Sequence, residues 1–277
     1  MRRSDRIVRL TRELMDHPGE PLSLTDMAQR FISAKSSISE DLAIIRSVME
    51  SDGEGTLHTH VGATGGVIYQ VSLSDDRAAS FVDEVKESLE QDDRILPGGY
   101  LYMTDLLGKP QMLRIAGKMF ARIFVEKEPN VVLTVETKGI PLAVMTAQYL
   151  NCPFVVARRD HKWSEGSSVS TNYVSGSEKR IQTMSLSKRS IHEGARVLII
   201  DDFMKAGGTV KGMTGLINEF SAQVVGTGVF METAEPSDKL VDQYVSLLSL
   251  TEVDESARKI MIKPGNYFSM MEGTIHV

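Results

Sequence analysis

The sequence predicts an α/β chain in two units. A small N-terminal unit of three helices and a hairpin precedes a larger one, whose mainly parallel sheet is flanked by helices. Three observations predict this. Residues 4–49 carry three successive apolar patterns at helical spacing, followed by two short strand patterns around a Gly-rich loop. From Val131 onward, short β-branched runs alternate with helical patterns, as in a sheet built from βα repeats. Within that alternation the apolar run Val197–Ile200 is followed by Asp201 and Asp202, a small-residue loop and Thr209.

The 277 residues allow one large domain or two ordinary ones, and 42% hydrophobic residues can fill a substantial core. A net charge of −6 excludes a whole-protein basic signal for nucleic acid, but not a local basic patch. The single cysteine, Cys152, cannot form an internal disulfide and is expected as a buried, inert thiol. No apolar run approaches the ~18 residues of a membrane span, and the basic N-terminus leads into an amphipathic pattern, so a cytoplasmic protein is expected.

The first helix is predicted over Ser4–His17, with Ile7, Leu10, Leu14 and Met15 on one face, Ser4 as N-cap and Pro18-Gly19 as the stop. Residues 2–12 hold Arg2, Arg3, Arg6, Arg9 and Arg12 against Asp5 alone. A short second helix is expected over Leu24–Arg30. A third begins near Ser36, with Ser37 and Glu40 in capping-box spacing and Ile38, Leu42, Ile45 and Met49 buried. Strands at Thr56–Val61 and Val67–Val71 flank Gly62–Gly66 as a hairpin. His58 and His60 share one face of its first strand but have no third ligand at metal-binding spacing, so no metal site is expected.

A polar-faced connector helix follows over Ser74–Gln91, with Phe81, Val85 and Leu89 inward, which divides the chain into residues 1–73 and 74–277. Beyond the turn at Leu96–Gly99 and the segment Tyr100–Met103, a helix is predicted over Gln111–Glu126. Strand Val131–Val135, helix Pro141–Leu150 and strand Phe154–Ala157 come next. The Ser- and Gly-rich stretch Asp160–Lys179 reads as a hairpin or lid rather than a packed element. Val197–Ile200 is the central strand and Thr209–Phe220 its helix; later strands are Val224–Met231, Val245–Leu250 and Ile260–Ile262.

Two carboxylates at a strand end can accept both hydrogen bonds of a vicinal diol. The amides of Lys205, Ala206, Gly207, Gly208 and Thr209, largely free of bulk, can ring a phosphate at the start of a helix. Together they describe a ribose 5-phosphate site. Neither G-x-x-x-x-G-K-[ST] nor a strand-linked G-x-G-x-x-G is present, which argues against P-loop and dinucleotide folds.

The segment Val197–Thr209 resembles the phosphoribosyl pyrophosphate (PRPP) motif of type I phosphoribosyltransferases, with Asp201, Asp202, Phe203, Met204, Lys205, Ala206, Gly207, Gly208 and Thr209 in its positions. The resemblance implies that Thr137, Lys138 and Gly139 form a pyrophosphate loop. It also implies phosphate contacts from the cluster of Arg158, Arg159 and Lys162, without saying which, and a place for Tyr102 over the ligand. Helices and hairpin within residues 1–73 resemble a winged-helix DNA-binding domain. Arg2, Arg3, Arg6, Lys35, Ser36, Ser37, Ser39, His58 and His60 would then face DNA. Over nearly the whole chain the sequence is similar to the purine operon repressors of Gram-positive bacteria. That likeness implies a non-catalytic homodimeric repressor of purine genes, released from operator DNA by PRPP, with or without Mg2+. A guanosine polyphosphate such as guanosine tetraphosphate is a candidate competitor. Many catalytic members carry Thr-Thr or Ala-Thr where this chain has Lys205-Ala206. The alternative is an active purine phosphoribosyltransferase with an accessory N-terminal domain.

Overall fold

The computed structural model describes residues 1–60, 66–159, 166–174 and 180–275. Helix α1 spans Arg3–Asp16, strand β1 Leu22–Ser23, α2 Leu24–Arg30, α3 Lys35–Ser51, β2 Gly55–His60 and β3 Gly66–Val71. The strands form an antiparallel sheet in the order β1-β3-β2. β1 is too short to carry a periodic signal and was not expected. The anticipated inward residues Leu10, Leu14, Ile38, Leu42, Ile45 and Met49 all enter one core with Leu57, Val67 and Tyr69 of the hairpin. Met15 instead lies exposed. The expected loop at residues 62–65 lies outside the described residues.

Two expected caps do not form. Helix α1 starts one residue before Ser4, with Arg2 at its N-cap. Helix α3 starts at Lys35 with Ala34 at the cap, so Ser37 lies inside the first turn and cannot close a capping box with Glu40. A specific contact accompanies each earlier start. Arg3 and Arg6 of α1 donate to the two carboxylate oxygens of Asp41, at 3.0 and 2.5 Å, and Asp41 on α3 is completely buried. The turn before α3 is closed by Ser33 N donating to Ala28 O at 3.0 Å.

Helix α4 (Asp75–Leu89) is capped by Ser74, whose hydroxyl accepts from Arg77 N at 3.3 Å, and it buries Phe81, Val85 and Leu89 as expected. A small hairpin of β4 (Ile95–Leu96) and β5 (Tyr100–Leu101) leads to α5 (Pro110–Phe124), β6 (Val131–Val135), α6 (Ile140–Leu150) and β7 (Phe154–Ala157). β8 (Ser168–Val174) and β9 (Ile181–Ser187) pair antiparallel. β9 was not anticipated, and Tyr173, Met184 and Leu186 of this hairpin are buried in a core. The Ser- and Gly-rich stretch thus contributes one strand of a hairpin, as one of its two readings had it, but that strand docks through Tyr173; residues 160–165 and 175–179 lie outside the described residues.

The chain continues through β10 (Arg196–Met204), α7 (Gly208–Asn218), β11 (Gln223–Thr233), β12 (Val245–Asp254), β13 (Lys259–Pro264) and α8 (Tyr267–Ile275). The main sheet has the order β13-β12-β11-β10-β6-β7. Its neighbours are parallel except for β13, which runs antiparallel to β12 at one edge. Helix α6, leaving β6, packs through Leu142 and Ala143 into the core on one face. Helix α7, leaving β10, packs through Val210 and Met213 into the core on the other. From β10 the chain then steps to β11, whereas from β6 it steps to β7. The strand order thus reverses between β6 and β10, and a crevice opens there at the carboxyl ends of the strands.

The two units meet along α5. Lys118, nearly buried, pairs with Glu54 just before β2, and its ammonium lies 6.0 Å from the centre of the Tyr149 ring. Arg122 donates at 2.7 Å both to Leu73 O and to Asp75 Oδ1 at the linker. Truncating Glu54 leaves the Lys118 ammonium without its carboxylate. Because Glu54 is partly exposed, Glu54→Ala is expected to cost about 1–2 kcal/mol in urea unfolding.

Candidate functional site

The crevice is built from two strand-to-helix turns. β10 pairs with β6 only from Val197 to Ile199, but with β11 as far as Met204. The expected strand end at Ile200 is therefore corrected: Asp201 and Asp202 lie within β10, held by β11 on one side. The edge facing β6 is released beyond Ile199, which opens room beside the two carboxylates.

Asp201 is buried, and its Oδ1 accepts from Asp202 N at 2.9 Å. Burial and the adjacent Asp202 raise its pKa well above the usual carboxylate range, against a smaller lowering by Arg159. Gly139 closes over this carboxylate from the β6 side. A side chain there would place its Cβ 2.6 Å from Thr134 Oγ1 and 3.1 Å from Asp201 Oδ1, so the turn's close approach to Thr134 of β6 and Asp201 of β10 favours glycine. Thr134 Oγ1, buried beneath, has no hydrogen-bond partner among the described residues. Thr137 and Lys138 are exposed on the same turn, and the Glu136–Thr137 peptide is cis.

Residues 203–210 line a concavity at the start of α7. Gly207 adopts φ +83°, a left-handed conformation, at the N-cap of α7, while Gly208 begins the helix. Lys205 is exposed, Ala206 and Thr209 are partly exposed, and Gly207 and Gly208 are buried. The Met204 side chain is in the core beneath, so of that residue only the backbone is available to a ligand. Phe203 packs partly against the opposite core.

Within the basic cluster, the charge of Arg159 slightly favours the ionised form of Asp201. Glu136 organises the end of β7: its Oε1 accepts from Arg159 N at 2.7 Å, and Oε2 lies 3.5 Å from Arg158 Nη1. Arg158 also pairs with Ser185 through its backbone. Lys162 lies outside the described residues. Tyr102 is exposed on the segment after β5, with its amide donating to Arg94 O at 2.8 Å. Glu136 and Lys239 are not among the site residues that the sequence picks out. Arg159 was in the basic cluster, but no motif picks out Lys239, which stands 34 positions after Lys205 and donates to its carbonyl.

On the N-terminal unit, Lys35, Ser36 and Ser39 stand exposed on the first turns of α3, and Ser37 is partly covered. His58 is exposed on β2; the side chain of His60 lies outside what is described. Arg2 is exposed. Arg6 has little exposure and is committed to Asp41, while Arg3 shares Asp41 and lies 3.7 Å from Glu40. These two arginines thus tie α1 to α3, a role that the count of positive charges did not reveal.

Two family models match the chain. Residues 2–71 match the N-terminal domain of bacterial purine repressors and residues 103–260 the phosphoribosyl transferase domain. The purine biosynthesis transcriptional repressor PurR of Bacillus subtilis is 52% identical over 99% of this chain and 96% of its own length. The chain belongs to the bacterial purine repressor family. Within this family, the purine biosynthesis transcriptional activator PurR of Lactococcus lactis is 43% identical over 97% of this chain and 99% of its own. A xanthine phosphoribosyltransferase of Lactobacillus delbrueckii aligns at 32% identity with only 62% of this chain, though with 95% of its own. Among solved structures, an adenine phosphoribosyltransferase from Rhodothermus marinus has the same fold over 62% of this chain and 99% of that one, with TM-score 0.53 and 25% identity. The full-length relatives are transcriptional regulators, and the transferase likeness is confined to part of the chain.

Two variants probe the charges at these sites. A folded-state pKa above the unfolded one (~3.9 for Asp) means that stability is greatest below the unfolded value and declines as pH rises through the folded value. Asp201→Asn lacks that decline. Its melting temperature is expected to exceed that of wild type above neutrality, with the gap closing towards acid pH in a calorimetric series. Asp41→Ala leaves Arg6 poorly solvated and unpaired, at an expected cost of about 3 kcal/mol to the N-terminal unit in chemical denaturation.

Proposed function

We propose that this chain is a transcriptional repressor of purine biosynthesis and transport genes, in which residues 1–73 bind operator DNA and residues 74–277 bind PRPP as the inducer. The observation that carries this reading is the crevice between β6 and β10. It brings the buried Asp201, the partly exposed Asp202 and a glycine-bearing helix N-terminus together beside a second helix N-terminus, in a chain that also holds a purine-repressor N-terminal domain. Asp201 and Asp202 suit the ribose diol and the amides of Lys205 to Thr209 the 5-phosphate. Thr137, Lys138 and Gly139 suit the pyrophosphate, and the basic cluster and Tyr102 border it. The exposed residues of α3, with Arg2, Arg3 and His58, are the DNA-facing set; Arg6 supports them through Asp41.

PRPP weakens operator binding if it favours a state with lower DNA affinity, and reciprocity then requires DNA to weaken PRPP binding to the same extent. A polyanionic ligand near the DNA surface also lowers the positive potential that holds phosphate, and this part of the effect depends on salt. A guanosine nucleotide with two separated diphosphates, such as guanosine tetraphosphate, suits the same two anion loops and opposes induction by competing with PRPP. The acting species is a homodimer in the cytoplasm.

Operator binding measured across PRPP concentrations tests the reading. Wild type is expected to lose affinity as PRPP rises, whereas an Asp201→Ala, Asp202→Ala double variant still binds operator and no longer responds. Retained induction in that variant would overturn the site assignment. The same titration with and without magnesium decides whether the ion accompanies PRPP. Incubation with PRPP, magnesium and each nucleobase tests the rival reading: turnover would make the chain a transferase.

A further inference from the structure

The phosphate loop is held from behind. Lys239, in the connection between β11 and β12, donates from Nζ to Lys205 O at 2.7 Å and to Thr233 O at 2.5 Å. Its neighbour Leu240 donates through its backbone N–H to Ala206 O at 2.8 Å. Thr233 Oγ1 lies 3.5 Å from the same Lys205 carbonyl and 2.6 Å from Glu235 O, which ties the end of β11 into the same knot.

The direction of these bonds matters more than their number. In a trans peptide the carbonyl and the following N–H point to opposite sides. With the carbonyls of Lys205 and Ala206 turned towards residues 233–240, the N–H groups of Ala206 and Gly207 are turned the other way. That side is the concavity lined by residues 203–210, and neither Lys239 nor Leu240 borders it. A carbonyl flipped into the concavity would put a partial negative charge where an anion must sit, and would remove a donor as well. Partial burial lowers the pKa of Lys239 below the usual lysine range, against a smaller raising by Glu232 and Glu235.

We propose that Lys239 is a positioning residue, which fixes the peptide planes of loop 205–207 so that their amides face the ligand's 5-phosphate without touching the ligand itself. The inference rests on the PRPP-site reading above. It separates the two anion loops of that site, because Lys239 braces the loop before α7 and makes no described bond to the turn at residues 136–139.

Calorimetric titration of the full-length protein with ribose 5-phosphate and, separately, with inorganic pyrophosphate tests the proposal. Lys239→Met is expected to weaken ribose 5-phosphate about tenfold, the scale of one lost charge-assisted hydrogen bond, while leaving pyrophosphate within twofold of wild type. Lys239→Arg keeps donors at this position and should recover part of the loss. If Lys239→Met does not fold, Lys239→Gln carries the same comparison. Unchanged ribose 5-phosphate affinity in these variants would overturn the proposal, as would an equal loss for both ligands, which would mark general damage. Wild type binding neither ligand would instead overturn the site reading itself.

Discussion

A carboxylate buried within a central strand is costly, and the crevice depends on the arrangement that keeps Asp201 there. Its neighbours are Asp202 on the same strand and Gly139 across the gap, which lies so close that a side chain in place of its hydrogen would be crowded. The sheet makes this possible by sending α6 and α7 to opposite faces from adjacent strands. Two helix N-termini then converge on one gap, and the positive ends of their dipoles suit a ligand with anionic groups at both ends. The acidic pair between them suits an uncharged diol.

In the N-terminal unit another buried carboxylate has a different job. Asp41 is inaccessible to water yet fully engaged by Arg3 and Arg6, so it acts as a clamp between α1 and the helix that would enter a DNA groove. Charge on α1 is therefore divided between holding the fold and facing outward. The Lys118–Glu54 pair and the Arg122 contacts at the linker join this unit to α5, whose other side packs on the sheet that forms the crevice. These polar contacts join the two units, together with Tyr149, which packs against the N-terminal core.

Elements with strong local signals were legible. β6 and β7 fall where the β-branched runs placed them, α2 matches its expected span, and the stripe Ile38, Leu42, Ile45 and Met49 is buried as the spacing required. Errors fell where local signals compete with tertiary contact. Ser4 and Ser37 are good capping residues by type, but the helices start earlier. The composition of residues 160–179 points to a hairpin or lid, and a hairpin strand forms there, but composition cannot report that Tyr173 will be buried.

By itself the sequence determined the fold class and the family, because apolar periodicity and the run Val197–Thr209 are local patterns. Residue types alone also select Asp201, Asp202 and Gly207, since a diol needs acceptors and a phosphate loop needs backbone without bulk. Only the tertiary structure decided which groups support them. Arg159 bears on Asp201, Arg6 is bound to Asp41, and Lys239 braces a loop 34 positions earlier. Such contacts join segments far apart in the chain, and no periodicity or spacing along the sequence encodes them.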